Sequence, residues 1–198
     1  MNIGGIRGSM MAKVVGLIGE DESDTDVLGS IIRKASPTRR FKFKTFHGHG
    51  KGKIIGKCNQ WAQNLRDREC TALILAQDLD DESHFKVFNE LKNALEPSTI
   101  ANYCIVIPVR MIEAWILSDA EAIKTALNLP LTPNDIPNPE SLMDPKSKLR
   151  DLIYTLSKKR RRYMLTKDNG RIAAHLRIEC LRKCPSFRPL HDFITSRL

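Results

Sequence analysis

The chain has 198 residues, a length that suits one ordinary domain of about 150 residues with an extension. Its apolar fraction of 41% and charged fraction of 28% are those of a globular rather than a disordered protein. No apolar run approaches the roughly 20 residues that a membrane-spanning helix needs, so an integral helical membrane protein is excluded. The five scattered cysteines predict a reducing cytoplasm rather than a disulfide framework.

The net charge of +9 is divided unevenly along the chain. Residues 1–144 contain 17 Lys/Arg and 19 Asp/Glu, a balance of −2, whereas residues 145–198 contain 15 and 4, a balance of +11. A basic segment beside a near-neutral domain predicts a polyanionic partner such as nucleic acid. A solvated, solubilising face is the alternative interpretation of the same count.

The pattern of apolar residues predicts alternating strands and helices. Residues 1–11 contain three glycines and are interpreted as a flexible leader. After it, the predicted strands span 13–19, 41–46, 71–76 and 103–108, and the predicted helices span 23–36, 54–68, 82–95 and 111–127. Ser23 is the predicted N-cap of the first helix, and Phe85 and Phe88 are predicted to face the core. This alternation predicts an α/β fold with a Rossmann-like, open, mainly parallel four-stranded sheet flanked by helices.

The C-terminal part of the chain predicts a different organisation. Residues 129–144 contain four prolines and are interpreted as a linker after a core of residues 12–128. Three shorter helices, 145–157, 171–182 and 187–198, then predict a basic helical extension packed on that core. Its five consecutive cations are candidates for phosphate contacts, with a solvated run as the alternative: Lys158, Lys159, Arg160, Arg161 and Arg162. Lys51 and Lys53, in a glycine-rich loop, are further candidates, with a plain turn as the alternative.

Acidic residues are concentrated directly after the predicted strands. Five of the seven residues 20–26 are acidic, Asp78 and Asp80 follow the third strand, and Glu113 follows the fourth. The carboxyl ends of parallel strands meet at one edge of a sheet, and like charges held together there favour a bound cation. Carboxylate oxygens suit Mg²⁺ or Mn²⁺, so the sequence predicts a metal site at this edge. The alternative is that Asp80 or its neighbours only cap the next helix.

Two of these acidic stretches resemble a known family. Leu-Ile-Gly-Glu-Asp-Glu-Ser-Asp at 17–24 and Leu-Ile-Leu-Ala-Gln-Asp-Leu-Asp at 73–80 resemble the Toprim domain. That domain is shared by topoisomerases, primases, recombination-repair proteins and nucleases of the overcoming-lysogenisation-defect type. Residues 108–119 are similar to a stretch of bacterial Toprim-like domains of unknown function, and the resemblance covers roughly residues 13–125.

The resemblance implies a role for each matching residue. Glu20 matches the general acid/base glutamate, Asp78 and Asp80 match the metal-binding pair, and Asp24 matches the acidic residue at the helix start. Glu22 also fits the glutamate spacing and is the alternative to Glu20. Glu113 lies outside the minimal motif. It would either hold a second metal or orient Arg110.

The function that the resemblance implies is a cytoplasmic, Mg²⁺- or Mn²⁺-dependent nuclease acting on DNA or RNA, in bacterial defence or a mobile element. The chain is too short for a topoisomerase, and no template-handling module of a primase is evident. Two alternatives stay open: a non-catalytic module that binds nucleic acid or a partner, and a nucleotide phosphohydrolase or phosphotransferase. The sequence also leaves open a homodimer and a partner ATPase.

Overall fold

A computed structural model describes residues 12–130 and 132–198, so the predicted leader lies outside the described residues. Four strands form one open sheet in the order β2-β1-β3-β4, and every pairing is parallel. The strands are β1 Lys13–Gly19, β2 Phe41–His47, β3 Ala72–Ala76 and β4 Tyr103–Val106. The predicted α/β class and the parallel sheet are confirmed.

The register of the sheet places the carboxyl ends of the four strands at one edge. Gly19 pairs with His47 at the end of β1 and β2, and Ala76 pairs with Val106 at the end of β3 and β4. The loops that leave these ends are those that carry the acidic residues. In open parallel sheets this edge is where ligands bind.

Helices cover both faces of the sheet and also form the C-terminal extension. The helices are α1 Glu22–Ala35, α2 Lys51–Asp67, α3 His84–Leu95, α4 Glu113–Leu117, α5 Ala120–Leu127, α6 Pro145–Leu156, α7 Leu165–Ala173, α8 Ile178–Leu181 and α9 Arg188–Arg197, with 3₁₀ turns at Pro139–Ser141 and Pro185–Phe187. Across the described residues, no helix combines the length and apolar character needed to cross a membrane.

Alternate residues of the central strands face two separate hydrophobic cores. Leu17 and Ile74 belong to the core that includes α1, whereas Ile18 and Leu75 belong to the core formed with α2 and α3. The first core also contains apolar residues of the extension, and Phe187 packs edge-to-face on Trp115 with ring centroids 5.5 Å apart. The extension is therefore part of the main hydrophobic core. Its helices are stabilised because they bury apolar side chains there.

Asp119 divides the predicted helix 111–127 into α4 and α5. Its carboxylate accepts a hydrogen bond from the Ala122 backbone N–H at 3.1 Å and so caps α5. Asp119 is fully buried and forms a salt bridge with Arg177 of the extension at 2.7 Å. The predicted helix 171–182 is likewise wrong, because α7 ends at Ala173 and α8 begins at Ile178.

The outward face of α3 differs from the prediction. Val87, Leu91 and Leu95 are buried at helical spacing, whereas Phe85 is 77% exposed and Phe88 is 37% exposed. The prediction that Phe85 and Phe88 face the core is wrong, because the buried face of α3 is formed by Val87, Leu91 and Leu95. Phe88 lies at the edge of that face, and Phe85 lies beyond it.

Candidate functional site

Carboxylates from four segments meet at the carboxyl edge of the sheet. Glu20 follows β1, Asp24 lies in the first turn of α1, and Glu113 is the first residue of α4. Asp78 and Asp80 lie in the loop after β3. We call these five residues the acidic cluster. Each segment was predicted to reach this edge, and the structure brings them together there.

The loop after β1 is fixed by a reciprocal cap. The Asp21 side chain accepts hydrogen bonds from the backbone N–H groups of Ser23 at 2.8 Å and Asp24 at 3.4 Å, so Asp21 rather than Ser23 is the N-cap of α1. The Oδ2 atom of Asp24 accepts from the N–H groups of Glu20 at 3.0 Å and Asp21 at 3.1 Å. These bonds turn the Asp24 carboxylate back toward the end of β1.

Backbone hydrogen bonds join the loop after β3 to the loop after β4. The N–H of Leu79 donates to the Pro108 carbonyl at 3.0 Å, and the N–H of Asp80 donates to the Arg110 carbonyl at 2.9 Å. Asp78 Oδ1 accepts from the Ile112 N–H at 3.0 Å, which places its carboxylate at the start of α4. Asp80 has a left-handed φ of 51°, so the backbone is not extended at this residue.

Burial and neighbouring carboxylates raise the pKa values of three members of the acidic cluster, Asp78, Asp24 and Glu20. Burial and the charges of Asp24, Glu113, Glu20 and Asp80, in that order, raise the pKa of Asp78 well above its ordinary value. Burial and neighbouring carboxylates raise the pKa of Asp24 to about 7. Burial and the charge of Asp80 raise the pKa of Glu20, against the lowering effects of the Asp78 N–H and Lys51. Ionising the whole cluster is therefore unfavourable unless a cation offsets its charge.

The donor set of the acidic cluster fits Mg²⁺ or Mn²⁺. All of its donors are carboxylate oxygens, which hard divalent cations prefer. Glu20, Asp78 and Asp80 are the residues that would hold the ion. Within residues 12–130 and 132–198, no group of three or more His, Cys, Asp or Glu side chains is arranged so that it could hold a metal ion. The fit therefore rests on donor chemistry and on the shared negative charge.

Glu20 and Glu22 occupy different environments. Glu20 is partly buried, and its charge raises the pKa values of Asp24 and Asp78. Glu22 is exposed on α1, and its charge acts on Asp26 instead. The geometry favours Glu20 as the glutamate of the acidic cluster.

Glu113 is held by residues that the sequence did not indicate. It is 3% exposed, and its Oε1 lies 3.3 Å from the Tyr163 hydroxyl and 3.2 Å from Asn169 Nδ2. These partners follow it by 50 and 56 residues, in the basic extension. Their separation leaves no local pattern, and neither Tyr163 nor Asn169 lies in a helix that the sequence predicted.

The predicted nucleic-acid-binding cations fall into two groups. Lys53, Lys158, Lys159, Arg160 and Arg162 are exposed. Lys51 instead pairs with Glu82 and, at 3.1 Å, with Glu90, and Arg161 pairs with the buried Asp168. We call Lys158, Lys159, Arg160 and Arg162 the basic turn. It lies directly before Tyr163, whose hydroxyl is 3.3 Å from Glu113 of the acidic cluster.

Comparison with known proteins identifies a family without an assigned activity. The family model described as a domain of unknown function, DUF4276, matches residues 20–195. No curated protein and no solved structure matches the chain significantly. The matched range begins at Glu20, directly after β1, and ends within α9, so it contains β2, β3, β4 and the basic extension. The chain belongs to the DUF4276 family.

Proposed function

We propose that the protein is a Mg²⁺- or Mn²⁺-dependent nuclease that hydrolyses phosphodiester bonds in DNA or RNA. The observation that carries the proposal is the position of Asp78, whose carboxylate accepts a hydrogen bond at the start of α4 and lies among four other carboxylates that, together with burial, raise its pKa. A partly buried acidic cluster of this kind is typical of sites that bind a divalent cation or perform acid–base chemistry. Its position at the carboxyl edge of a parallel sheet supports the same conclusion.

The residues of the acidic cluster have separate roles in the proposed reaction. Asp78, Asp80 and Glu20 hold the cation, which would polarise the phosphate and lower the pKa of an attacking water. Glu20 has a raised pKa, which brings its proton affinity closer to the operating pH. If Glu20 does not bind the ion directly, it would be the group that accepts and returns the proton.

The basic turn binds the substrate. A nucleic acid would be repelled by the acidic cluster alone, because both are negatively charged. The basic turn offers the opposite charge, because its four cations are exposed: Lys158, Lys159, Arg160 and Arg162. They hold the phosphate backbone by a contact that depends on salt rather than on base sequence.

A cleavage assay with a matched control tests the proposal. Purified protein is incubated with single- and double-stranded DNA and RNA, with MgCl₂, MnCl₂ or EDTA. We expect metal-dependent cleavage that Asp78→Ala abolishes. Asp81→Ala is the control, since Asp81 lies in the same loop with its side chain 86% exposed, and we expect it to cleave normally.

The other outcomes identify the alternatives. Nucleic-acid binding without turnover would support a non-catalytic binding module. Phosphate release from free nucleotides without cleavage would support a phosphohydrolase. Cleavage in EDTA, or full activity in Asp78→Ala, would contradict the proposed mechanism.

A further inference from the structure

A buried hydrogen-bond network joins the basic extension to the acidic cluster. Asn169 is fully buried, and its Nδ2 lies 3.0 Å from Ser23 Oγ and 3.2 Å from Glu113 Oε1. Its Oδ1 accepts a hydrogen bond from the Tyr163 hydroxyl at 2.5 Å. One amide therefore contacts α1, α4 and the segment between the basic turn and α7.

The distances within this network assign its donors. The Tyr163 hydroxyl has one proton and lies 2.5 Å from Asn169 Oδ1 but 3.3 Å from Glu113 Oε1. The shorter contact receives the proton, so Tyr163 fixes the orientation of the Asn169 amide. The amide then directs its two N–H bonds at Ser23 and Glu113. Tyr163 acts on Glu113 mainly through Asn169.

Close packing of α7 on α1 brings Asn169 within hydrogen-bonding distance of its partners. A Cβ atom at Gly170 would lie 3.4 Å from the Asp26 side chain on α1, so the two helices are in contact at this point. The adjacent Asn169 is thereby brought against Ser23. The extension reaches Glu113 because it packs on the core.

The hydrogen bonds orient Glu113 without neutralising it. Its Oε1 accepts a hydrogen bond from Asn169 Nδ2 and lies 3.3 Å from the Tyr163 hydroxyl, and both of these groups are neutral. Within the described part of the chain, no Lys, Arg or His forms a salt bridge with it. Its charge instead raises the pKa values of Asp24 and Asp78. Neutral groups that fix a carboxylate through one oxygen are typical partners of a metal ligand.

We propose that Asn169 and Tyr163 are positioning residues, which hold Glu113 in the acidic cluster so that it contributes to cation binding. The inference rests on the proposed function, because it needs a cation at the cluster. It assigns the basic extension a second task besides backbone binding. The extension completes the metal centre from a distance of more than 50 residues along the chain.

Mn²⁺ binding to the full-length chain, measured by titration calorimetry with MnCl₂ alone, tests the inference. We expect Asn169→Ala and Tyr163→Phe each to weaken Mn²⁺ binding about tenfold, and Glu113→Gln to weaken it at least as much. The double variant Glu113→Gln/Asn169→Ala should bind no more weakly than Glu113→Gln. A merely structural role of Asn169 would give an additional loss in the double variant.

Matched variants keep the result interpretable. Tyr154→Phe removes a hydroxyl from an exposed tyrosine of the same extension and should bind Mn²⁺ like the wild type. Circular dichroism establishes that each variant is folded. Tyr163→Phe retains the ring, so it carries the test if Asn169→Ala does not fold.

Each contrary outcome has a distinct meaning. Unchanged binding in both positioning variants would overturn the inference and leave the proposed function intact. Unchanged binding in Glu113→Gln, with loss in Asp78→Ala, would do the same. A wild-type chain that binds no Mn²⁺ would overturn the proposed function, and the inference with it.

Discussion

The acidic cluster and the basic extension differ in charge but share one structure. Residues 1–144 have a balance of −2 and residues 145–198 a balance of +11. Yet Leu149, Ile172 and Phe187 of the extension belong to the same hydrophobic core as Leu17 and Ile74. The difference in charge therefore does not mark a boundary between independently folded parts.

Buried carboxylates that pair with an arginine of the basic extension differ from the carboxylates of the acidic cluster. Arg161 of the extension pairs with the buried Asp168, and Arg177 pairs with the buried Asp119. Although burial alone would raise it, the pKa of Asp119 is lowered by hydrogen bonds from Arg177 and Ala122. Asp78, in the acidic cluster, has a raised pKa instead. A buried carboxylate that is paired with an arginine is stabilised within the fold itself. The carboxylates of the acidic cluster repel one another, so a bound cation would stabilise them.

Removing the extension should have the largest effect. A chain ending at residue 144 loses the apolar side chains that complete the main core, including Phe187 against Trp115. We expect no cooperative thermal transition and rapid proteolysis. Circular dichroism during heating checks this. A truncated chain that melts cooperatively would show that the sheet and its acidic cluster form an independent domain.

Breaking the salt bridge between Arg177 of the basic extension and Asp119 at the start of α5 should have the next largest effect. Arg177→Ala leaves the fully buried Asp119 carboxylate without its cation, which should cost about 3 kcal/mol of unfolding free energy. Because folding lowers the pKa of Asp119, its ion pair with Arg177 stabilises the wild type above about pH 4. The Arg177→Ala variant loses this stabilisation. Urea unfolding at pH 7 and pH 3 should show a smaller difference at pH 3. Arg188→Ala, at an exposed pair, is the control.

Neutralising the basic turn should weaken binding without affecting the fold. Replacing Lys158, Lys159, Arg160 and Arg162 by Ala should lower nucleic-acid affinity at least tenfold at low salt and reduce its salt dependence. Arg40→Ala/Lys42→Ala, at the amino end of the sheet, removes exposed cations far from the cluster and should bind normally. Fluorescence anisotropy at several salt concentrations measures both. An equal loss of affinity in the control variant would indicate that the net charge of the protein, rather than the basic turn, attracts the nucleic acid.

Neutralising one carboxylate of the cluster should give the smallest effect, with the opposite sign. Asp78→Asn should raise the unfolding free energy by about 1 kcal/mol at pH 7.5 without metal. The raised pKa of Asp78 means that the folded state binds this proton more tightly than the unfolded state. The wild type therefore loses stability as the pH rises from about 4, and the Asn variant loses less, because only the raised pKa values of Asp24 and Glu20 remain. Urea unfolding at pH 4 and 7.5 tests this, and a variant less stable at both pH values would contradict it.

Local patterns in the sequence were sufficient to predict the sheet and part of the cluster. The apolar runs of β1 and β3 are continuous because both faces of these strands are buried, and Glu20 and Asp78 follow directly. The connection between Glu113 and Asn169 could not be predicted, because it depends on how α7 packs on α1. The break at Asp119 was missed because helical periodicity continues across it. Its physical cause, the capping bond and Arg177, lies partly in the extension.

Anomalous diffraction from a crystal soaked in MnCl₂ tests the central claim most directly. The account predicts a manganese peak in contact with carboxylate oxygens of Asp78, Asp80 and Glu20, and its loss in Asp78→Ala crystals. Manganese bound only elsewhere on the protein, or ligated by Glu22 with Glu20 turned away, would contradict it.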